Sequence, residues 1–252
     1  MPFILNMFTR MKLLVFLFPI VLFSILLCIK IVFPDVYLFL SQENSVIEYA
    51  QFMAYLLSSL VCLFLSITFL RNKMVLQGVL YTILTIGLLF VSLEEISWGQ
   101  EIFNISLPDY FERHNVQGEI SIHNLDIIQP RLHKSYILLG IYGTLAWVFV
   151  RLLERIWKRE SRHIVDFLVP DWFISPYFAF VCFIYIVFDY IARPSPGSFI
   201  VWRDQEPMEL LLSLGFLVFG ITNFLKLRLI LRTRKSAALQ NRGPSEILSR
   251  GH

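Results

Sequence analysis

Residues 74–103 read MVLQGVLYTILTIGLLFVSLEEISWGQEIF, and this stretch decides the fold class. Residues 74–91 are almost entirely apolar and have about the length that a helix needs to cross a bilayer. Two adjacent carboxylates, Glu94 and Glu95, follow directly. Ionisable groups at the edge of such a helix face water, protein or a ligand, because lipid excludes them. The stretch therefore predicts a membrane helix that brings two acids to one membrane boundary.

The whole chain is similarly rich in apolar residues. Of its 252 residues, 56% are apolar and only 16% are charged, whereas about a quarter are charged in an ordinary soluble domain. The apolar residues form six long runs, which predict an all-α, six-span membrane bundle as a single domain over residues 1–234. A polar tail follows at 235–252. The predicted spans are residues 12–34, 46–70, 74–96, 135–153, 172–192 and 207–226.

The distribution of charge predicts the orientation of the bundle. With both termini inside, 16 of the 22 Lys and Arg residues lie on the cytoplasmic side, as the positive-inside rule requires. Fourteen of the 19 acidic residues then lie on the outer side or at outer span ends. The longest outer segment, 97–134, is expected to be ordered, with a helix start at 107–109. The basic inner face suits membrane lipids as partners and does not indicate nucleic acid.

Helical spacing places polar groups of several spans on inward stripes. Steps of three and four relate the polar residues of the second span: Asn44, Glu48, Gln51, Tyr55, Ser58 and Cys62. The same spacing relates a set in the sixth span: Glu206, Glu209, Ser213 and Gly220. If the third helix continues outward, Glu94 shares one face with Ser97, Trp98 and Glu101. Polar stripes in a membrane helix face protein or water, so we expect these to meet inside the bundle.

Acids from four spans are expected at one outer depth: Glu48, Glu94, Glu95, Asp189, Glu206 and Glu209. Carboxylates so close together repel one another, so protons, a cation or basic groups must neutralise some of them. The outer segment offers possible partners: Arg113, His114, His123, Arg131 and His133. Carboxylates with a histidine also suit a divalent cation such as Mg²⁺, Mn²⁺, Ca²⁺ or Zn²⁺. By contrast, we expect Glu43 and Asp204 to be solvated and Lys30 to reach toward water.

These groups define a candidate site with three predicted roles. The catalytic candidates are Glu48, Glu94, Glu95 and His123. The substrate-binding candidates are Trp98, Gln100, Glu119 and Asn124, although Trp98 is also typical of an interfacial aromatic belt. The sequence leaves the cofactor open; if it is a divalent cation, the candidate ligands are Glu95, His123, Glu206 and Glu209.

Four stretches resemble a family of bacterial multi-pass membrane proteins to which no activity is attached. They are ENSVIEYAQ (43–51), EEISWGQEIF (94–103), NVQGEISIHNL (115–125) and EPMELLLSLGFLVF (206–219). The resemblance implies that their acids, Trp98, Gln100, His123 and Asn124 belong together, and it implies a bacterial inner membrane. A weaker analogy links the acids and histidine to membrane hydrolases of the alkaline ceramidase type, although this chain lacks their His-x-x-x-His pair.

Three function classes follow from the sequence. The first is a membrane-embedded hydrolase or transferase, with or without a metal ion, that acts on a lipid or lipid-linked substrate at the outer face. The second is a non-catalytic subunit or assembly factor of a larger membrane complex, in which the polar stripes join helices to one another. The third is an ion- or proton-coupled carrier, a class that usually places its ionisable groups near the midplane.

Overall fold

The structure, a computed structural model, describes residues 2–42, 44–115, 118–123, 125, 127–153 and 165–240. Within these ranges the chain is helical, and the only strand-like pairing is an isolated bridge between Asn115 and Leu125. The α-helices are α1 (Pro2–Val32), α2 (Pro34–Ser41), α3 (Val46–Arg71), α4 (Val75–Glu95), α5 (Gln100–Phe103), α6 (Asp109–His114), α7 (Gln129–Leu153), α8 (Ser175–Ile186) and α9 (Gln205–Gln240).

Six segments are long and apolar enough to cross a membrane. They are Thr9–Val32, Val46–Arg71, Val75–Glu95, Arg131–Leu153, Val165–Ile191 and Trp202–Thr233. The prediction of an all-α integral membrane protein with six spanning helices is therefore confirmed. The first predicted span ran on to residue 34, but α1 ends at Val32 because Pro34 starts the separate helix α2.

Helix α3 lies at the centre of one half of the bundle and packs against α4 and α9, while α8 joins α9 to α7. Polar contacts support this packing: the Ser66 hydroxyl donates to the Gly78 carbonyl at 2.9 Å, and the Ser59 hydroxyl donates to the Thr85 carbonyl at 3.1 Å. Small side chains and hydroxyls of this kind hold membrane helices together, because lipid supplies no hydrophobic force between them.

The contact of α7 with α8 depends on a residue without a side chain. A Cβ atom added at Gly143 would overlap the ring of Phe178, so the two backbones approach more closely than any larger residue allows. Farther along the bundle, fully buried Asn223 donates to the Tyr81 hydroxyl at 2.7 Å and to the Phe167 carbonyl at 3.2 Å. The bundle is thus held together on both sides by close packing and buried polar bonds.

One end of the bundle carries Glu48, Glu95 and Glu209, and we call it the acidic end. An ion pair fastens α1 to the start of α9 here, since the Lys30 ammonium contacts both carboxylate oxygens of Asp204 at 2.5 Å. The predictions that Lys30 reaches toward water and that Asp204 is solvated are wrong, because each buries its charge against the other.

The phenol of Tyr37, on α2, joins this ion pair by donating to the Asp204 carboxylate at 2.8 Å. Burial, and then the neighbouring Asp204 carboxylate, raise the pKa of Tyr37 above its ordinary value. The phenol therefore stays a hydrogen-bond donor, and α2 is fixed to the start of α9.

Candidate active site at the acidic end

The third span does not continue as an α-helix beyond Glu95. Helix α4 ends at Glu95, and Ser97, Trp98 and Gly99 take φ angles of 46°, 55° and 80° in the left-handed region. The prediction of one continuous helical face is therefore wrong. The turn nevertheless brings the Trp98 indole back toward the helix, where its N–H donates to Glu94 Oε1 at 2.5 Å.

Glu94 anchors the loop that contains Ile122 and His123 to the bundle. Its Oε2 atom accepts the backbone N–H groups of Ile122 at 2.7 Å and His123 at 2.9 Å, and lies 3.2 Å from His123 Nδ1. With Trp98, four N–H groups converge on a carboxylate that is 3% exposed. An ionised carboxylate is acceptor-only and suits four donors, so Glu94 fixes both the loop and the imidazole.

Two of the predicted substrate-binding residues hold this same loop. Gln100 Oε1 accepts the backbone N–H of Ile120 at 2.7 Å, and Glu119 Oε2 accepts the Ser97 hydroxyl at 2.6 Å. Trp98 is 40% exposed beside these contacts. Asn124, the fourth candidate, lies outside the described residues, as do Glu43 and Gln117 of the motifs.

A small cavity of about 20 Å³ lies under the loop, between α3, α4 and α9. Its volume is close to the smallest that holds a water molecule, about 10–15 Å³. Polar side chains line it: Glu48, Glu94, Glu95, Glu119, His123, Gln205, Glu206 and Glu209. The inward stripes of the second and sixth spans therefore do meet the end of the third.

Most of the carboxyl groups in this cavity already have protein partners. Glu209 accepts the hydroxyl of Tyr185, and Glu206 Oε2 accepts the amide of Gln51 at 3.2 Å. Glu48 accepts the backbone N–H of Asn44. Glu95 differs, because its half-buried carboxyl makes no hydrogen bond or ion pair with any described residue. Glu95 is therefore the cavity acid that is left for a ligand or for proton transfer.

Sequence reasoning missed the part played by Tyr185. Its hydroxyl bonds a cavity carboxyl although its helix contributes no lining residue. The only signal was its spacing of four residues from Asp189.

Asp189 itself does not reach the cavity. Its carboxylate lies 2.8 Å from His133 Nδ1, and the His133 ring packs on Tyr185 with 4.7 Å between centroids. The prediction that Asp189 joins the carboxylate cluster is wrong. A π-helical turn at Val187–Ile191 follows α8, so α-helical spacing no longer gives the direction of the side chain.

Several carboxyls around one cavity repel when ionised, so some of them hold protons or share a cation. The residue types suit a divalent cation. In the described part of the chain, however, no three His, Cys, Asp or Glu side chains are arranged to hold a metal ion. The predicted ligand set of Glu95, His123, Glu206 and Glu209 therefore stays a prediction.

No protein-family model, curated protein or solved structure matches the chain. The resemblance to a bacterial multi-pass family also stays a prediction. The function is therefore inferred from the geometry of the site, with the Glu94–His123 pair and the free Glu95 carboxyl as its most specific features.

Proposed function

We propose that the protein is a membrane-embedded enzyme that performs acid–base chemistry on a lipid or lipid-linked substrate at the acidic end. The observation that supports this most strongly is the Glu94–His123 pair. A buried carboxylate lies 3.2 Å from Nδ1 of an imidazole that lines the cavity and is 33% exposed. His133 makes the same Nδ1–carboxylate contact with Asp189, but only His123 lines the cavity.

The pair suits a general base. A carboxylate on Nδ1 selects the tautomer whose proton is on that atom, which leaves a lone pair on Nε2. The same carboxylate stabilises the imidazolium that forms when Nε2 takes a proton. Nε2 makes no hydrogen bond with the described residues, so it is free to act on a ligand.

The cavity volume and Glu95 complete the proposed chemistry. A volume of about 20 Å³ admits one water molecule, and His123 activates that water as a nucleophile. Glu95, which has no described partner, gives a proton to the leaving group as the general acid. A transferase would use the same groups, with a substrate hydroxyl in place of the water.

The substrate class follows from where the cavity lies. The cavity is too small for a whole substrate, so the reacting group of the substrate binds at the cavity opening, beside the exposed Trp98 ring. Aromatic rings of this kind lie at the headgroup level of a bilayer. We infer from the charge distribution that this end lies at the outer leaflet, with both termini inside. The resemblance to a bacterial multi-pass family supports a bacterial inner membrane. A lipid or a lipid-linked group reaches that level.

A carrier is the second candidate, supported by the burial of Glu206 and Glu209, which are 5% and 7% exposed. Buried membrane carboxyls often bind the proton or ion that drives transport. In that case the cavity takes a single proton or cation, and Glu94 and His123 only shape its wall.

The test is a search for lipid conversion in proteoliposomes made from a bacterial polar-lipid extract that contains isoprenoid-linked lipids. Mass spectrometry follows substrates and products over time for the wild type and His123→Ala. We expect wild-type conversion, and a decrease of roughly a hundredfold or more in the variant, the usual contribution of a general base.

His114→Ala is the matched control, because His114 is exposed on α6 and does not line the cavity. It should convert lipid at the wild-type rate. Proton or cation flux without lipid conversion would favour the carrier. Neither flux nor conversion, together with co-purifying membrane subunits, would favour the non-catalytic subunit.

A further inference from the structure

A second cavity, of about 140 Å³, lies at the end of the bundle opposite the acidic end, between α7, residues 165–172 and α9. It is similar in size to an engineered cavity of about 150 Å³ that admits benzene. Lys226 lines it and follows Glu209 on the same helix by 17 residues, roughly 26 Å along the axis. That distance is close to the hydrocarbon thickness of a bilayer, about 30 Å, so the two cavities lie at opposite membrane boundaries.

Four charged side chains line this cavity, and two of them neutralise each other. The Lys226 ammonium lies 2.8 Å from the Asp171 carboxylate and donates to the Asp166 carbonyl at 3.1 Å. The guanidinium of Arg151 and the carboxylate of Asp166 form no ion pair with a described residue. Among the described residues, the cavity therefore offers one available cation and one available anion.

Trp147 adds a hydrogen-bond donor. Its indole N–H is buried and has no acceptor among the residues that the structure describes, while the Arg151 guanidinium lies 5.2 Å from the centre of its ring. A buried donor without an acceptor is costly, and an acceptor on a ligand removes that cost. An anionic oxygen is the ligand atom that suits both the indole N–H and the neighbouring guanidinium.

We propose that this cavity binds the headgroup of a zwitterionic phospholipid that carries a primary amine. Its phosphate lies toward Trp147 and Arg151, and its ammonium lies toward Asp166. One available charge of each sign suits this headgroup better than a purely anionic one. Because the cavity lies at the level of a membrane boundary, a lipid phosphate is a more suitable ligand than a free phosphate ion. The inference does not depend on the chemistry of the acidic end.

The test is a titration of the purified full chain in detergent, followed by native mass spectrometry. The probes are short-chain phosphatidylethanolamine, short-chain phosphatidylglycerol and inorganic phosphate. Trp147→Phe keeps the ring but removes the donor, and Arg151→Gln removes the cation. Each should weaken phosphatidylethanolamine binding by roughly tenfold or more, because each removes a hydrogen bond to a charged group. Asp166→Asn should weaken phosphatidylethanolamine binding but not phosphatidylglycerol binding.

Arg228→Gln is the matched control, since Arg228 is exposed on α9 two residues beyond Lys226 and does not line the cavity. It should bind as the wild type does. Thermal unfolding of each variant establishes that it is folded. Wild-type affinity in both Trp147→Phe and Arg151→Gln would overturn the proposal. Equal or tighter binding of phosphatidylglycerol would overturn the assignment of a zwitterionic headgroup. Full competition by inorganic phosphate would overturn the assignment of a lipid as the ligand.

Discussion

Glu94→Gln tests whether the Glu94 carboxylate holds the loop at residues 118–123 on the bundle. The substitution preserves the shape of the side chain and removes its charge. The amide oxygen can replace Oε2, which faces the N–H groups of Ile122 and His123. The amide nitrogen then faces the indole N–H of Trp98, and that hydrogen bond is lost.

The contacts of Glu94 give the size of the effect. A hydrogen bond to a charged group contributes about 1.5–3 kcal/mol and a neutral one about 0.5–1.5, so each retained bond weakens by about 1 kcal/mol. Three contacts at Oε2 therefore lose about 3 kcal/mol in total. Since Trp98 is 40% exposed and can turn to water, its lost bond adds about 1 kcal/mol at most. Opening of the loop should become more favourable by roughly a hundredfold or more.

Hydrogen–deuterium exchange of peptides that cover residues 118–123 measures this opening directly. We expect the amides of Ile122 and His123 to exchange roughly a hundredfold faster in Glu94→Gln, with exchange in α3 unchanged. Glu112→Gln, an exposed glutamate on α6 outside the cavity, is the matched control and should exchange as the wild type does. Equal protection of the two amides in Glu94→Gln and the wild type would refute the anchoring role.

Three further substitutions test the packing that positions the site, each by its free energy of unfolding in mixed micelles. Tyr185→Phe leaves a buried cavity carboxyl without its phenol donor and should lose about 1–3 kcal/mol; an unchanged value would contradict that bond. Gly143→Ala drives a methyl group into an aromatic ring of α8 and should lower the free energy of unfolding by about 1–3 kcal/mol. Gly87→Ala, with nothing within 4 Å of the added carbon, should be neutral or stabilising. Equal effects of the two substitutions would contradict the close contact. Lys30→Met leaves the buried Asp204 carboxylate without its counter-ion and should lose about 3–5 kcal/mol. The added Asp204→Asn should restore much of this loss, and no recovery in the double variant would count against the ion pair.

The spanning helices could be predicted because apolar length alone specifies them. The run predicted at 46–70 is found as Val46–Arg71. Within this span, helical spacing also predicted the direction of the side chains. Gln51 and Tyr55 were expected to face inward, and they are 0% and 2% exposed. Within an α-helix, spacing fixes direction, so the meeting of the polar stripes follows from the sequence.

The details of the site could not be predicted where the backbone leaves the α-helix. Three residues with positive φ follow α4, and a π-helical turn carries Asp189 away from the cavity. Across such changes of backbone geometry, α-helical spacing no longer predicts the direction in which a side chain points. The ion pair of Lys30 with Asp204 joins residues 174 positions apart, and no local pattern indicates a contact of that range.

We propose that the cavity carboxyl of Glu95 is the general acid of the reaction at the acidic end. The most direct measurement is the rate of lipid conversion in proteoliposomes by Glu95→Gln, with substrate binding measured separately. Loss of a general acid should decrease turnover by roughly a hundredfold or more while binding stays near the wild-type value. Glu112→Gln should convert lipid as the wild type does. Wild-type turnover in Glu95→Gln would contradict this role of Glu95.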